Sequence, residues 1–515
     1  MLFNSLPFIL AFLPITFVIF FAFGSKSPIF ACVWLCAASL FFYGWWNPNF
    51  LGLLLGSTAF NYVSAYVIGH EVRDQRRGNG RLLLIFALTV NLSLLGYFKY
   101  AGFFAETANA LFGSQIEFGR IILPLGISFF TFTQIAFLVD VYQEKTNELN
   151  FVHWLLFVTY FPHLIAGPII HHARVMPQFD RQDTYRINWR NASAGLTVFV
   201  IGLTKKLFMA DNFGAIATPI FSAARDGAGP PLVEAWAGAL AYTLQLYFDF
   251  SGYSDMAIGL SLLFNIKLPF NFNSPYKASN IIDFWRRWHM TLSAFLRDYL
   301  YIPLGGNRKG TTRRYVNLLA TMLLGGLWHG ASWTFVAWGA LHGGYLMINH
   351  GFRAVLDRVG SNGGRFGRLG SLTGAATTFF FVVVAWVFFR ADSFFAAGRM
   401  LEGMAGGFGL RSGPWIPDGG ESTLRFFAAS SLNARWVGGL VLLGLAAVWL
   451  LPNTQEFMLP FNGFDEKVAK PKGLAARLVW QPRSWWSSVL LGIVFALLIL
   501  KMSPMHISEF LYYQF

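Results

Sequence analysis

Charge is what this sequence has least of. Only 12% of its 515 residues are Asp, Glu, Lys or Arg, against roughly 25% in soluble domains. With 55% hydrophobic residues, a soluble fold of this length would have to hide more apolar surface than one core can hold. Cysteine is almost absent, with Cys32 and Cys36 the only two. They lie four apart in an apolar stretch, so they share one helical face and read as small packing residues. A disulfide framework and a cysteine zinc motif are excluded. Also missing are a Gly-x-Ser-x-Gly nucleophile elbow, a Walker A loop and a dinucleotide fingerprint. An enzyme built on this chain would work with one base rather than a covalent triad. No basic segment precedes the first apolar stretch, since the first Lys or Arg is Lys26. Residues 7–23 therefore read as a retained helix, not a cleaved signal peptide.

What is present is a series of long uncharged runs. Residues 1–25, 27–70, 82–98, 121–139, 150–173, 315–352, 371–389, 436–455 and 484–500 contain no Lys, Arg, Asp or Glu. A helix crosses the hydrocarbon with about 20 such residues, so the runs predict roughly 10–13 spanning or re-entrant helices. The net charge of +14 fits basic cytoplasmic loops beside anionic lipid better than nucleic acid. Three loops carry it: His70–Arg81, Gly351–Gly370 and Pro460–Arg483. Placing all three in the cytoplasm puts the N-terminus and Met502–Phe515 outside. The segment Gly406–Asn433 is polar enough to lie outside the bilayer. No repeat or linker divides the chain, so residues 1–515 are expected to form one membrane domain.

Between Asp249 and His342, ionisable groups sit inside apolar stretches, where they are costly and usually line a cavity or pathway. His329 lies within the 38 uncharged residues 315–352, in Gly325-Gly326-Leu327-Trp328-His329-Gly330. A neutral imidazole in a dry site can take a proton from a hydroxyl. It can equally pack against a neighbouring helix, and position alone does not choose. His289 closes the segment Asp283-Phe284-Trp285-Arg286-Arg287-Trp288-His289. Asp283 and Arg287 are spaced for a pair along a helix, and that helix reads either as an interfacial anchor or as a wall facing an anionic substrate. The basic cluster Arg308, Lys309, Arg313 and Arg314 follows the Gly305-Gly306 turn and suits lipid headgroups or donor phosphates. Asp249 and Asp255 either do acid–base work or knit helices together. His163, His171 and His172 have no carboxylate or cysteine close in sequence, so no metal site is expected. His342, thirteen residues after His329, is expected to be structural.

These segments together resemble the membrane-bound O-acyltransferase family, in its bacterial branch that acylates cell-surface polymers. The resemblance runs through Leu95–Tyr100, Leu123–Phe130, Phe161–Pro168, Asp249–Asp255, Asp283–Gly306, Trp328–Gly330 and Phe510–Phe515 in one order. It implies an all-α polytopic fold, a ring of tilted helices around a central catalytic cavity. It assigns the essential histidine to His329 and a second central one to His289; Asp249, Asp255 and Trp328, polar or aromatic groups beside them in apolar stretches, are candidate cavity-lining residues. It implies no resident cofactor or metal. The donor would be acetyl-CoA or another thioester, taken from the cytoplasm, with Arg308, Lys309, Arg313 and Arg314 as candidate phosphate contacts. The acceptor would be a cell-surface glycan such as alginate or peptidoglycan. A periplasmic serine hydrolase-like partner would complete transfer at the bacterial inner membrane. A glycan or lipid-linked sugar flippase, with buried histidines as a proton path, is the competing class. A non-catalytic scaffold is a third.

Overall fold

The computed structural model describes residues 1–119, 121–146, 148–358, 367–410, 434–461, 464, 485–502 and 509–511. Parts of the second and third basic loops, most of the segment Gly406–Asn433 and Tyr512–Phe515 lie outside the described residues. Among the described residues every regular element is helical. The chain is an all-α polytopic membrane protein, as its uncharged runs predict.

The first part consists of α1 (Leu13–Gly24), α2 (Pro28–Gly44), α3 (Leu51–Arg73), α4 (Arg77–Leu95), a π-turn (Gly96–Tyr100), α5 (Ala101–Phe112), α6 (Ile127–Tyr142), α7 (Phe151–Thr159) and α8 (His172–Phe179). The middle is α9 (Trp189–Thr204), a second π-turn (Lys205–Ala210), α10 (Asp211–Arg225), α11 (Leu232–Leu263), α12 (Ile281–Trp285), α13 (Met290–Leu296), α14 (Thr311–His329) and α15 (Trp333–Arg358). Five more complete the chain: α16 (Gly367–Arg390), α17 (Phe394–Met404), α18 (Ala434–Leu450), α19 (Thr454–Phe457) and α20 (Trp485–Lys501). Among the described residues four helical stretches are long and apolar enough to cross a membrane: Pro48–Arg73, Arg77–Phe112, Trp189–Arg225 and Leu369–Arg390. Five other apolar helices are shorter, at 10–17 residues. α11, α14 and α15 are long but carry polar groups, as helices around a central site should.

Outward faces are apolar because lipid replaces water there. Leu10, Val18, Phe86, Leu372 and Leu490 are each about half exposed or more. Inside, packing rather than hydrophobicity holds helices together, and glycine sets the distance. α9 and α11 run antiparallel and meet at two reciprocal glycine pairs. A Cβ on Gly202 would sit 2.5 Å from the Gly252 carbonyl oxygen, and one on Gly195 would sit 2.6 Å from that of Gly259. α14 and α15 form a hairpin of the same kind. A Cβ on Gly326 would lie 2.3 Å from the Phe335 oxygen, and one on Gly339 would lie 2.3 Å from that of Met322.

Two ion pairs stitch α11 to the second π-turn. Lys205 Nζ lies 2.6 Å from Asp255 Oδ2, and Lys206 Nζ lies 2.8 Å from Asp249 Oδ1. Lys206 also donates to the Glu509 carbonyl at 2.8 Å, while the Leu511 amide donates to Asp249 Oδ2 at 2.9 Å. The C-terminal residues Glu509–Leu511 are thereby held against the core. Apolar packing falls into two clusters. One is built on α1–α9 and includes Trp328; the other is built on α10, α11 and α15–α18 and includes Trp288 and Trp338.

Replacing Gly202 by Leu would force α9 from α11 and is expected to destabilise the fold by about 1–3 kcal/mol. The check is the thermal midpoint of the detergent-solubilised protein, against an exposed-face control at Gly56, where an added Cβ meets nothing.

Candidate active site

The site lies where the two apolar clusters meet. α14 ends on His329, and the next residue, Gly330, leaves the helix in an extended conformation (φ −158°, ψ 148°). A Cβ at Gly330 would fall 2.1 Å from the Phe335 ring, so a side chain there would push α15 off the end of α14. Glycines at 326 and 330 thus let the hairpin close tightly around His329. The imidazole is 4% exposed and sits among Trp328, Trp338 and Phe389, with ring centroids at 5.0, 5.2 and 5.2 Å.

His289 arrives from a different element. The expected single helix through residues 280–290 is broken: α12 stops at Trp285, and His289 takes a left-handed conformation (φ 43°) before α13 starts. The cause is Asn271. Its carbonyl accepts from the Met290 amide at 2.9 Å, and its Oδ1 lies 3.1 Å from His289 Nδ1 and accepts from Thr291 Oγ1 at 2.9 Å. The sharp turn carries His289, fully buried, to a ring distance of 6.2 Å from His329. The Asp283–Arg287 pair does form, at 2.9 Å. Trp288, however, is 2% exposed, so it fills the core instead of anchoring at an interface.

Two cavities approach the histidine pair from opposite ends of α6. The first, of about 110 Å³, is lined by Trp46, Lys99, Ser128, Trp328, His329 and Glu509 among others. The second, of about 320 Å³, is lined by His171, Arg174, Thr291, Arg297 and Tyr299 among others, and by Met290 next to His289. Phe129 lines the first and Ala136 the second, so about 10 Å of α6 separates them. The first cavity reaches His329 itself; the second stops at Met290 and Thr291, the residues that follow the fully buried His289.

The other expected residues divide. Trp328 lines the first cavity. Asp249 and Asp255 line neither of these two cavities; their carboxylates are turned to the lysines of the second π-turn. Arg308, Lys309 and Arg313 are exposed around the start of α14, and Arg314 donates to His350 Nδ1; none of the four lines either cavity. The cationic side chains on the second cavity are Arg174 and Arg297. His342 is fully buried among Phe284, Trp285, Trp338 and Trp386, and neither ring nitrogen has a hydrogen-bond partner among the described residues.

Three residues were not singled out individually in the sequence. Asn271 turns His289. Asp140, buried on α6, receives Tyr299 Oη at 2.6 Å and lies 2.8 Å from His171 Nε2 and 2.9 Å from His172 Nε2. A carboxylate thus joins the two histidines that sequence separation left without one, at hydrogen-bond distances and in a set chemically able to hold a metal. Lys99 projects from the first π-turn into the first cavity. Its signal was legible: a lone cation in an apolar run marks a functional position.

Two buried imidazoles in an all-α membrane fold, one of them lining a cavity, make this the candidate catalytic centre. Comparison with known proteins identifies the class. The model of the membrane-bound O-acyltransferase family matches residues 16–389. The chain is 46% identical over 433 residues, 79% of its own length and 80% of the other's, to the peptidoglycan O-acetyltransferase of Helicobacter pylori. It is 38% identical, over the full length of both chains, to the "Probable alginate O-acetylase AlgI" of Pseudomonas aeruginosa. It is 29% identical over 44% of its length and 56% of the other's to the teichoic acid D-alanyltransferase of Streptococcus thermophilus. This chain belongs to the membrane-bound O-acyltransferase family and is an O-acyltransferase.

Replacing Asn271 by Ala removes the acceptor that holds the His289 turn, at a cost of about 1–3 kcal/mol for the buried groups left unmade. Acyl transfer is expected to fall about tenfold or more through misplacement of His289, with the protein still present in the membrane. Transfer rates normalised to immunoblot signal check this.

Proposed function

We propose that this protein passes an acetyl group from cytoplasmic acetyl-CoA across the inner membrane, for O-acetylation of a cell-surface polysaccharide of the alginate or peptidoglycan kind. One observation carries the reading: His329 lines one cavity, and a second, separate cavity reaches Met290, next to a second buried imidazole 6.2 Å from the first. The positive-inside rule puts the basic loop His70–Arg81 in the cytoplasm. Arg77 on that side pairs with Glu144 at 3.0 Å, just beyond the end of α6 nearer the second cavity. The second cavity then faces the cytoplasm and takes the thioester, with Arg174 and Arg297 near its phosphates. The first cavity faces outward and takes the acceptor hydroxyl.

His329 acts as general base. It receives the acceptor's proton as the oxygen attacks the thioester carbonyl, forming the new C–O bond. Collapse of the tetrahedral intermediate breaks the C–S bond, and the departing thiolate takes the proton back from His329. His289 orients the acyl group or donates to the developing oxyanion. At about 110 Å³ the outer cavity suits the end of a side chain better than a polymer. That favours a periplasmic partner, a serine hydrolase-like protein, which accepts the acetyl group and delivers it to the glycan.

His329→Ala is expected to lower glycan O-acetyl content by about 10²-fold or more, with membrane abundance and partner association retained. Normal acetylation would overturn the catalytic role of His329. Transport of a glycan precursor that continues without any thioester donor would favour the flippase reading instead.

A further inference from the structure

The end of α14 poses a problem. An α-helix leaves its last carbonyls without intrahelical donors, and in apolar surroundings no water is at hand to meet them. α14 ends at His329, and Gly330 departs in extended conformation. The Ser332 amide, which might have turned back onto the helix, donates to the Gly330 carbonyl instead. The carbonyls of Leu327, Trp328 and His329 are met by two side chains more than 220 residues earlier. Tyr100 Oη donates to the Leu327 oxygen at 2.9 Å. Lys99 Nζ donates to the Trp328 oxygen at 2.5 Å and to the His329 oxygen at 3.3 Å. Its remaining hydrogen bond goes to Ser128 Oγ at 3.3 Å.

We propose that Lys99 is a positioning residue for the acyl-transfer reaction: with Tyr100 it clamps the last turn of α14 and thereby fixes where the His329 imidazole stands in the outer cavity. The clamp acts on the backbone of the catalytic residue itself, since one of the three carbonyls belongs to His329. Lys99 and Tyr100 are adjacent in sequence, yet both reach the same helix end. The π-turn Gly96–Tyr100 permits this, because a wider turn narrows the angle between neighbouring side chains; such turns recur at functional sites. A cation suits the task better than a neutral donor. It supplies three donors from one atom and complements the negative end of the helix dipole. All three of these hydrogen bonds end on neutral oxygens, so its charge is not cancelled by a contacting carboxylate in this set. The charge also stands over the Trp328 ring, 5.8 Å from its centroid, and fixes the residue that precedes His329.

The inference rests on His329 being the base, and the two can fail separately. The assay uses membrane vesicles with the full chain, its cytoplasmic face outward and the partner present. Acetyl-CoA is titrated and thiol release is followed, with protein quantified in the same membranes. Lys99→Met is expected to lower kcat by about 10²-fold, the effect of a misplacement near 1 Å, while the apparent KM for acetyl-CoA changes less than about twofold. Lys99→Arg, which keeps the charge and the donors, is expected to recover at least a tenfold share of that loss. A wild-type kcat in Lys99→Met, with His329→Ala inactive, overturns the clamp and leaves the base standing. A raised KM with unchanged kcat also overturns it and makes Lys99 a substrate contact. If Lys99→Met is not retained in the membrane, Tyr100→Phe carries the test. It deletes one hydrogen bond and keeps the charge, with a loss of kcat of about three- to tenfold expected and an unchanged kcat counting against the clamp.

Discussion

Backbone carbonyls that cannot reach water are the constraint on which the rest of this structure turns. A helix that crosses the hydrocarbon completely satisfies its backbone internally, but α14 stops in the buried interior, at His329. Everything around that stop follows from the cost of stopping there. Glycines at 326 and 330 bring α15 against the helix end. Trp328 and Trp338 exclude solvent from the imidazole. A lysine and a tyrosine from the first π-turn supply the missing donors. Buried imidazole, aromatic walls and the lysine are one solution to one problem of satisfaction.

The same logic explains why the charged residues of the middle third are divided in function. A buried carboxylate needs a partner at once, and breaking such a pair typically costs 3–5 kcal/mol. Asp249 and Asp255 have theirs in Lys206 and Lys205, so they fasten α11 to the segment after α9 and hold Glu509 and Leu511 in place. The histidines need no counter-charge when neutral and can be left facing a cavity. In this fold the lysine–carboxylate pairs of α11 belong to the frame, while His329 stands against a cavity.

The fold class was legible in the sequence because it is a matter of composition: uncharged runs of spanning length have few alternatives. His329 was legible as one buried imidazole among glycines and tryptophans, and motif order selected it. The break at His289 was not. Nothing local in residues 280–290 announces it, because the atoms that impose it belong to Asn271 on another segment. The ion pairs of Asp249 and Asp255 were not legible for a related reason. Their partners lie more than 40 residues away, and polar spacing cannot tell an ion pair from a cavity wall. The Asp140–His171–His172 grouping likewise depends on α6 packing against the start of α8, a tertiary fact with no sequence period.

His289 carries a backbone that ordinary residues avoid, with φ at +43°. That makes its position unusually narrow in evolutionary terms. Most replacements would lose the ring and also meet the steric penalty of the left-handed region. Glycine would relieve the backbone and leave a hole between the cavities. Asparagine and aspartate tolerate the conformation, keep a polar tip, and are each a single nucleotide from either histidine codon. A lineage drifting at this site would therefore have two short bridges to cross, and the shape of the chain chooses them before the chemistry does.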